Sequence, residues 1–416
     1  MSVSTIPKLH PPRASVKTTI GALCDQYGGS VQTGPFGGQL HASDYSLEGI
    51  PVVMPQDLVD GRVSVAKVAR VQPEHVNRLQ KHKLQAGDIV FSRRGDVGRF
   101  ASISDNEAGW LCGTGCIRIR LNCPDVDIRY VRQFLARSET SDWLFFNAKG
   151  VTMANLNTDI VRSLPLVFPP LDEQKRIAAI LDKADALRAK RRQAIALLES
   201  LTQSIFLEMF GDPVSNPNGY PLLNVEELSE KYSDGPFGSN LKSEHYTDDG
   251  MRVIRLQNIG VGCFINDDAA YISPEHFQRL EKHECRPGDV LIATLGDPNL
   301  RACIQPDWLE LALNKADCVQ LRVNSTVATA EYCAALLNVA SARGLAESLV
   351  LGQTRGRISM GRLRDLRLPV APLEKQQAFS LKMKRLEMQK QRSEHLLCVS
   401  ESFFASLQHR AFTGQL

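Results

Sequence analysis

The chain has 416 residues, of which 43% are apolar and 23% are charged, a composition typical of packed globular domains rather than disordered chains. Its length predicts two to four domains. The net charge is only +3, so any affinity for phosphate groups must come from local basic patches. The first residues are interrupted by proline, and no run of about 18 apolar residues occurs. We therefore expect a cytoplasmic protein that is neither secreted nor inserted in a membrane.

The ten cysteines include no CxxC pair, and their nearest approach to a cluster is Cys112, Cys116 and Cys123. This spacing fits no common zinc pattern. We expect reduced thiols packed inside the protein, and no metal or cofactor bound by the chain.

The first predicted elements are short strands. After an N-terminal extension of residues 1–17, residues 18–165 contain short apolar runs broken by glycine and aspartate, which predicts a mixed α+β domain. Residues 166–214 then include a stretch from 171 to 210 that lacks glycine and proline and is rich in Ala, Leu, Glu, Lys and Arg. These residues are good helix formers, so the stretch predicts one long helix.

The second half of the chain repeats this order. Residues 215–368 read as a second α+β domain, and residues 369–416 contain a second long helix from 373 to about 412. A shift of 201 places residues 34–104 on 235–305 without a gap, with 24 of 71 positions identical. The glycine-rich loop GPFGGQL at Gly34 returns as GPFGSNL at Gly235. The sequence therefore predicts a tandem duplication of one domain together with its helix.

The two long helices have heptad patterns. In the first, one seam position is expected at Ile177, Ala184, Arg191, Leu198 and Ile205, and the other at Ile180, Leu187, Ala194, Leu201 and Glu208. The second helix is less regular, with Phe379, Leu386, Leu396, Phe403 and Leu407 but also Lys382, Gln389, Ser393 and Ser400. Two such helices can bury their seams against each other, which predicts an antiparallel coiled-coil pair.

These features resemble one known family. The repeated domain-plus-helix order, the GPFGS-x-L loop and the segment LPLVFPPLDEQKRIAAILDKADALRAKRR resemble the specificity (S) subunit of type I restriction-modification enzymes over nearly the whole chain. The resemblance implies an α+β fold with two target recognition domains, 18–165 and 215–368. It also implies conserved spacer helices in 166–214 and 369–416, arranged as a pseudo-two-fold tandem repeat. A helix of about 37 residues is about 55 Å long, enough to hold two readers over one face of a DNA duplex.

The resemblance also implies the partners. They are double-stranded DNA with an asymmetric bipartite target, two methyltransferase (M) subunits and restriction/translocase (R) subunits. S-adenosylmethionine, ATP and Mg²⁺ are then used by the partner subunits and not by this chain, which is expected to be non-catalytic.

Base-reading residues must lie where the two copies diverge, because identical residues cannot distinguish two different half-sites. This points to the stretches 105–149 and 306–351 and to variable positions beside shared glycines. Arginine suits guanine or phosphate, amides suit adenine, and hydroxyls suit phosphate. The candidate DNA-binding residues are Arg93, Arg94, Arg99, Lys149, Thr152, Asn155 and Asn157 in the first copy, and Arg255, Gln257, Asn258, Thr354, Arg355, Arg357 and Ser359 in the second.

Each candidate group has a structural alternative. The glycine loops either hold a phosphate with backbone N–H groups or form tight turns anchored in the core by Phe36 and Phe237. The arginines near Gly95 alternatively form a solvated basic turn. Asn and Thr before the helices also serve as caps and turn residues, and polar side chains near Arg255 also occur on strand surfaces.

Two other functions remain as alternatives. An autonomous methyltransferase would need a glycine-rich cofactor loop and an Asn-Pro-Pro-aromatic motif, and the nearest string, at Asn216, lacks the second proline. A coiled-coil adaptor that does not bind DNA is compatible with the balanced charge. The histidine pairs His75 with His82 and His276 with His283 recur in both copies, and we expect a scaffold or docking role for them rather than a metal site.

Overall fold

A computed structural model of the chain describes residues 15–36, 38–150, 154–296, 298–350 and 356–416. These residues form two compact units. Unit 1 consists of the described residues up to 190 together with 397–416, and unit 2 consists of those from 191 to 396. Each unit therefore contains one globular domain and part of both long helices.

Apart from the first helix, which has no α-helical counterpart among the described residues of the second half, the helices appear in the same order in the two halves of the sequence. In the first half they are α1 (Ile20–Tyr27), α2 (Pro73–Arg78), α3 (Ile128–Leu135), α4 (Ser138–Asn147), α5 (Thr158–Ser163) and the long α6 (Leu171–Phe210). In the second half they are α7 (Pro274–Arg279), α8 (Ala330–Asn338), α9 (Ala340–Glu347), α10 (Met360–Arg364) and the long α11 (Leu373–Phe412). The bounds of both long helices agree with the stretches expected from the sequence.

The strands are short, as predicted from the glycine and aspartate residues that interrupt the apolar runs. Unit 1 has β1 (Val16–Thr19), β2 (Ser30–Thr33), β3 (Tyr45–Ser46), β4 (Ile50–Val53), β5 (Leu58–Val59), β6 (Arg62–Val63), β7 (Ala69–Val71), β8 (Ile89–Ser92), β9 (Phe100–Ser102), β10 (Leu111–Cys112), β11 (Cys116–Arg120) and β12 (Pro165–Phe168). Unit 2 has β13 (Leu222–Asn224), β14 (Ser229–Asp234), β15 (Tyr246–Thr247), β16 (Met251–Ile254), β17 (Ala270–Ile272), β18 (Glu284–Cys285), β19 (Val290–Ala293), β20 (Arg301–Ile304), β21 (Ala312–Asn314), β22 (Cys318–Val323) and β23 (Arg367–Pro369).

The two units share one sheet topology. An antiparallel sheet has the strand order β2-β11-β8-β9 in unit 1 and the equivalent order β14-β22-β19-β20 in unit 2. A mixed sheet contains β10-β4-β7-β3 in unit 1 and β15-β17-β16-β21-β18 in unit 2. Its single parallel pairing joins equivalent strands, β10 with β4 and β21 with β16. This correspondence confirms the predicted tandem repeat of an α+β domain.

The central strands face a core on each side. In β8, Ile89 and Phe91 pack in the main core of unit 1, while Val90 between them packs in a second cluster. Side chains alternate across a strand, so a strand buried on both faces needs a continuous apolar run. Its equivalent β19 obeys the same rule. The short run Ile-Val-Phe therefore fixes the strand that leads to the arginine-rich loop.

Each long helix is fixed at its start by a buried glutamine. The side chain of Gln376, which is fully buried, donates to the carbonyls of Val327 and Ala371 and accepts from the backbone N–H of Thr329. Gln174 at the start of α6 makes the equivalent three bonds in unit 1. The glutamine of the shared LDEQ and LEKQ segments is therefore a structural residue.

We expect Gln376→Ala to destabilise unit 2 by about 2–3 kcal/mol, because three backbone groups lose their partner in a water-poor site. The adjacent Gln377 is exposed, so Gln377→Ala is a matched control that is expected to change stability by less than about 0.5 kcal/mol. Urea unfolding followed by circular dichroism measures both. Equal stability of the two variants would contradict this role.

The long helices run antiparallel within unit 1. The guanidinium of Arg188 lies 4.2 Å from the ring centroid of Phe404 and 3.9 Å from the carboxylate of Glu401. Near the start of α6, Arg176 donates to the carbonyl of Leu416, which follows the end of α11, at 2.9 Å. Residue numbers thus rise along α6 as they fall along α11.

The same arrangement holds within unit 2. Lys390 Nζ lies 3.1 Å from the carboxylate of Glu199, and the ring of Phe379 lies 5.7 Å from that of Phe206. Phe206 and Phe210 also contact Tyr332, so an aromatic cluster joins the helices to the domain core.

The predicted seam is only half correct. The positions from Ile177 to Ile205 are buried or half-buried, but Leu187 and Leu201 at the second predicted position are 57% and 40% exposed. The inward residues lie one place later, at Leu181, Arg188, Ile195, Thr202 and Met209. A register chosen from apolar residues alone gives the wrong second seam position, because Arg188 packs inward by stacking on an aromatic ring.

The second helix shows the same shift. Leu396 and Phe403 were expected in the seam but are 41% and 60% exposed, whereas Leu397 and Phe404 beside them are turned inward. Within the part of the chain that the structure describes, no helix is both long enough and apolar enough to cross a bilayer.

Candidate nucleic-acid interface

The first glycine of each repeated loop is required by close packing. A Cβ at Gly34 would lie 2.0 Å from the carbonyl oxygen of Gly113, and a Cβ at Gly235 would lie 2.1 Å from the carbonyl carbon of Lys315. Any side chain would therefore displace backbone, so only glycine fits. The first glycine of the loop is therefore required by packing in both units.

The phenylalanines of these loops do not anchor the core. Phe36 is 60% exposed and Phe237 is 42% exposed, so the expectation of a buried anchor was wrong. Close backbone packing already holds the loop, which leaves the ring free to face solvent. In unit 2 the ring supports a cation, since the guanidinium of Arg357 lies 5.2 Å from its centroid.

Three loops meet where β8 ends in unit 1. The backbone N–H of Arg93 donates to the carbonyl of Gly115 at 2.7 Å, and the N–H of Leu156 donates to the carbonyl of Arg93 at 2.8 Å. The loop before β11 also contacts the glycine loop, because Thr114 donates to the carbonyl of Pro35 at 3.0 Å. We call this meeting point the loop junction; in unit 1 it comprises residues 34–36, 93–99, 113–116, 149 and 154–157.

Unit 2 has an equivalent loop junction at the end of β19. The N–H of Thr294 donates to the carbonyl of Asp317 at 3.0 Å, and the N–H of Ile358 donates to the carbonyl of Thr294 at 2.9 Å. The described residues of this junction are 235–238, 294–296, 298–301, 314–317 and 356–359. The same backbone bonds therefore present different side chains in the two units.

Arginines dominate the loop junction of unit 1. Arg94 is exposed, and Arg93 is half-buried beside it. Arg99 pairs with Asp96 at 2.9 Å, with about half of each side chain in solvent. Such an exposed pair contributes only about 0–1 kcal/mol, so Arg99 can exchange this carboxylate for a phosphate at little cost.

The polar run before α5 divides into different roles. Lys149 is exposed, and its backbone pairs with that of Asn155, which also bridges to Arg94. Asn157 is the N-cap of α5, and its side-chain oxygen accepts from the N–H of Ile160 at 2.8 Å. That oxygen is therefore occupied by capping. Thr152 lies outside the described residues.

In unit 2, Arg357 is the cation of this run that the structure describes. It pairs with Asp317 and stacks on Phe237, with 44% of its side chain exposed. Ser359 caps the short helix α10 by accepting from the N–H of Arg362 at 3.4 Å. Thr354 and Arg355 lie outside the described residues.

The three candidates at 255–258 surround a loop held by Asp268. Arg255 and Gln257 both donate to this aspartate, and these hydrogen bonds lower the pKa of its carboxyl. Asn258 is fully buried, and its amide donates to the carbonyls of Ile265 and Asp267. Asn258 is therefore a scaffold residue and not a DNA contact.

Sequence reasoning missed two features. Arg301 donates to the carbonyls of Ile259 and Pro298 and so links the 255–258 loop to the loop junction of unit 2. Phe145 and Phe146 are 66% and 72% exposed at the end of α4. Their sequence signal was two adjacent aromatics shortly before the polar run, inside the divergent stretch 105–149.

The repeated histidines and the cysteines do not form a site. His82 is buried, and burial lowers its pKa, while His75 is half-buried beside Arg78. Burial likewise raises the pKa of the Cys112 thiol to about 12. Among the described residues, no group of three metal-ligating side chains occurs.

Comparisons with known proteins agree with this fold. Residues 45–199 match the family model described as type I restriction modification DNA specificity domain. A putative type I restriction enzyme MjaX specificity subunit of Methanocaldococcus jannaschii is 23% identical over 82% of this chain and 80% of its own length. The EcoBI specificity subunit of Escherichia coli is 20% identical over 52% of this chain and 46% of its own length.

Solved structures show the same fold over the whole length. The S subunit of a type I restriction-modification system from M. genitalium matches with a TM-score of 0.54 at 15% identity, covering 98% of this chain and 99% of its own. A chain from a structural study of type I R-M complex assembly and conformational transition matches with a TM-score of 0.55 at 16% identity, with the same coverage. The chain is therefore similar in sequence and in fold to type I restriction-modification specificity subunits.

Proposed function

We propose that this chain is the DNA sequence-specificity subunit of a type I restriction-modification system. One half of an asymmetric bipartite target is bound by the recognition domain within 18–165 and the other by that within 215–368. The observation that carries the proposal is the loop junction: its backbone bonds recur in both units, while Arg93, Arg94 and Arg99 are replaced by Thr294, Leu295 and Leu300.

The chemistry of the two junctions supports different half-sites. Exposed guanidinium groups in unit 1 suit guanine edges and phosphates, which carry the acceptors that arginine binds in pairs. Among its described residues, the unit 2 junction offers Arg357, which stacks on an aromatic ring, and Arg301, which donates to backbone carbonyls. Two different sets of donors on the same scaffold read two different base sequences, so the target is not a palindrome.

The long helices supply surfaces for partner subunits. Leu187, Val399 and Phe403 of unit 1 are between 52% and 60% exposed. Leu197, Leu381 and Met388 of unit 2 are between 58% and 62% exposed. Apolar groups turned away from the seam favour a protein partner. We assign these faces to two methyltransferase subunits, with the restriction/translocase subunits joining the assembly for cleavage.

The catalytic chemistry belongs to those partners. S-adenosylmethionine is used by the methyltransferase subunits, and ATP and Mg²⁺ by the translocase. This chain contributes binding and positioning, because its loop junctions present donors for nucleic acid and its helices present apolar faces for protein.

Binding of duplex DNA is expected to weaken steeply with salt. Cations that contact phosphates displace counterions, and each contact makes the slope of log K against log salt more negative by about 0.9. Arg94→Ala should make that slope less negative by about one and should weaken binding to random and specific duplexes alike. Fluorescence anisotropy of the full chain with its methyltransferase partner, between 50 and 200 mM salt, measures this.

Lys81→Ala is the matched control, since Lys81 is exposed but outside the loop junction. It should leave the slope unchanged. A slope near zero for the unmodified protein would exclude phosphate contacts and favour an adaptor that binds only protein.

A further inference from the structure

Two aromatic side chains at the end of α4 are turned into solvent. Phe145 and Phe146, which we call the aromatic pair, are 66% and 72% exposed, with ring centroids 6.2 Å apart in an edge-on arrangement. The buried side of this helix is formed by Thr140 and Leu144 instead. The aromatic pair therefore adds little to the packing of unit 1, and adjacent exposed aromatics usually mark a contact surface.

The aromatic pair lies beside the loop junction of unit 1. One turn earlier in α4, Ser141 packs against the arginine loop so closely that a Cβ at Gly98 would lie 2.5 Å from its hydroxyl. After the helix the chain passes to Lys149, whose backbone pairs with Asn155 of the junction. The pair is thus held on both sides by segments of the proposed DNA surface.

The charges near the aromatic pair favour a polyanion. Lys149 follows it in the chain, and Arg94 is exposed on the segment that bridges to Asn155. Of the carboxylates of α4, Glu139 is half-buried near the start of the helix, and Asp142 is exposed one turn before the pair, where Lys149 and Arg94 outnumber it. Exposed apolar rings next to cations are the arrangement by which proteins insert into a base stack while binding the backbone.

The repeat shows that this feature belongs to one unit only. In the equivalent helix α9, the shift of 202 that aligns the segments places Glu347 and Ser348 at the two positions, and both are exposed. A carboxylate there would be repelled by phosphate. The aromatic pair therefore lies where the copies diverge, as residues that distinguish the two half-sites must.

We propose that the aromatic pair inserts between adjacent base pairs of the half-site bound by unit 1, unstacking that step and bending the duplex. The proposal deepens and rests on the function proposed above. Pyrimidine–purine steps unstack at least cost, so the insertion selects such a step in one half of the target through deformability rather than hydrogen bonding. The half-site bound by unit 2 stays stacked.

The test uses the full chain assembled with its methyltransferase partner and a duplex carrying the motif that this complex methylates. 2-Aminopurine replaces one purine at a time, leaving out the methylated position so that base flipping does not contribute. We expect a fluorescence increase at one step of a single half-site. Phe145→Ala/Phe146→Ala should abolish it and weaken specific binding about ten- to a hundredfold, while random duplex is bound as before.

Two further variants separate insertion from a structural effect. Leucine also serves as a wedge, so Phe145→Leu/Phe146→Leu should restore most of the signal. Leu47 is 99% exposed and lies outside the loop junction and the divergent stretches, so Leu47→Ala should change neither fluorescence nor affinity. Because these side chains are exposed, thermal unfolding should stay within about 2 °C of the unmodified protein.

Each other outcome contradicts the proposal. If the unmodified complex binds its motif but no step brightens, insertion is wrong while sequence-specific binding stands. If the alanine variant loses its methyltransferase partner with DNA stacking unchanged, the aromatic pair is a protein contact. If the unmodified complex shows no salt-dependent binding to DNA, the proposed function itself fails.

Discussion

Replacing residues 18–165 by the first recognition domain of another specificity subunit is expected to change one half of the methylated motif and to leave the other half unchanged. The reason is that each unit has its own sheets, core and loop junction. The residues of each loop junction are therefore positioned by their own domain, independently of the other junction. A single wrong base pair costs about 1–3 kcal/mol, so a wholly different half-site is discriminated by several orders of magnitude.

Sequencing of modified bases across a genome measures the exchange. The chimaera and the unmodified chain are each expressed with the same methyltransferase subunits. The control is a chimaera in which residues 215–368 are replaced instead, which should change only the opposite half. The modular interpretation is wrong if either exchange alters both halves.

The fold was largely predictable because its strongest signals are local. An unbroken stretch without glycine or proline fixes the bounds of a long helix, and both α6 and α11 end where that signal ends. The repeat added a second, independent indication. Identical residues such as Asp88 and Asp289 occupy equivalent places before β8 and β19, so they locate the shared scaffold without knowledge of the contacts.

The coiled-coil register was less predictable. Counting apolar residues favoured Leu187 and Leu396, but both are exposed, and Arg188 and Leu397 are turned inward instead. An arginine can bury its methylene stem and stack its planar head on a ring while its charge meets a carboxylate. Whether it does so depends on the residue opposite, which a heptad count along a single helix does not contain.

In the candidate site, too, backbone requirements were predictable from the sequence and side-chain packing was not. Backbone positions that need glycine were visible in the sequence because close packing admits no other residue, as at Gly34. Side-chain direction was not visible. Asn258 was expected on the surface but is buried, because its amide donates to backbone carbonyls. Phe36 was an expected core anchor but is exposed.

Asp289→Ala is expected to destabilise unit 2 by about 3–5 kcal/mol, more than any change proposed in the loop junctions. The carboxylate is 3% exposed and accepts from Nε and Nη2 of Arg322 at 2.9 Å each. It also accepts from the fully buried side chain of Gln320 at 2.6 Å, and its hydrogen bonds raise the pKa of Arg322. Removing it leaves the buried amide of Gln320 without its acceptor and leaves Arg322 with only the longer ion pair to Glu284 at 3.7 Å.

Differential scanning calorimetry should show this loss as a fall of about 10 °C in the transition of unit 2. Asp307→Ala is the matched control, because Asp307 is exposed. Asp88→Ala should have the same effect in unit 1, where Arg120 takes the place of Arg322. If Asp289→Ala and Asp88→Ala have the same melting temperature as the control, the residues shared by the two copies contact a partner and do not stabilise the fold. If Asp289→Ala and Asp88→Ala lose stability while Arg94→Ala does not, then the residues that the two copies share stabilise the fold, and recognition depends on residues that differ between them.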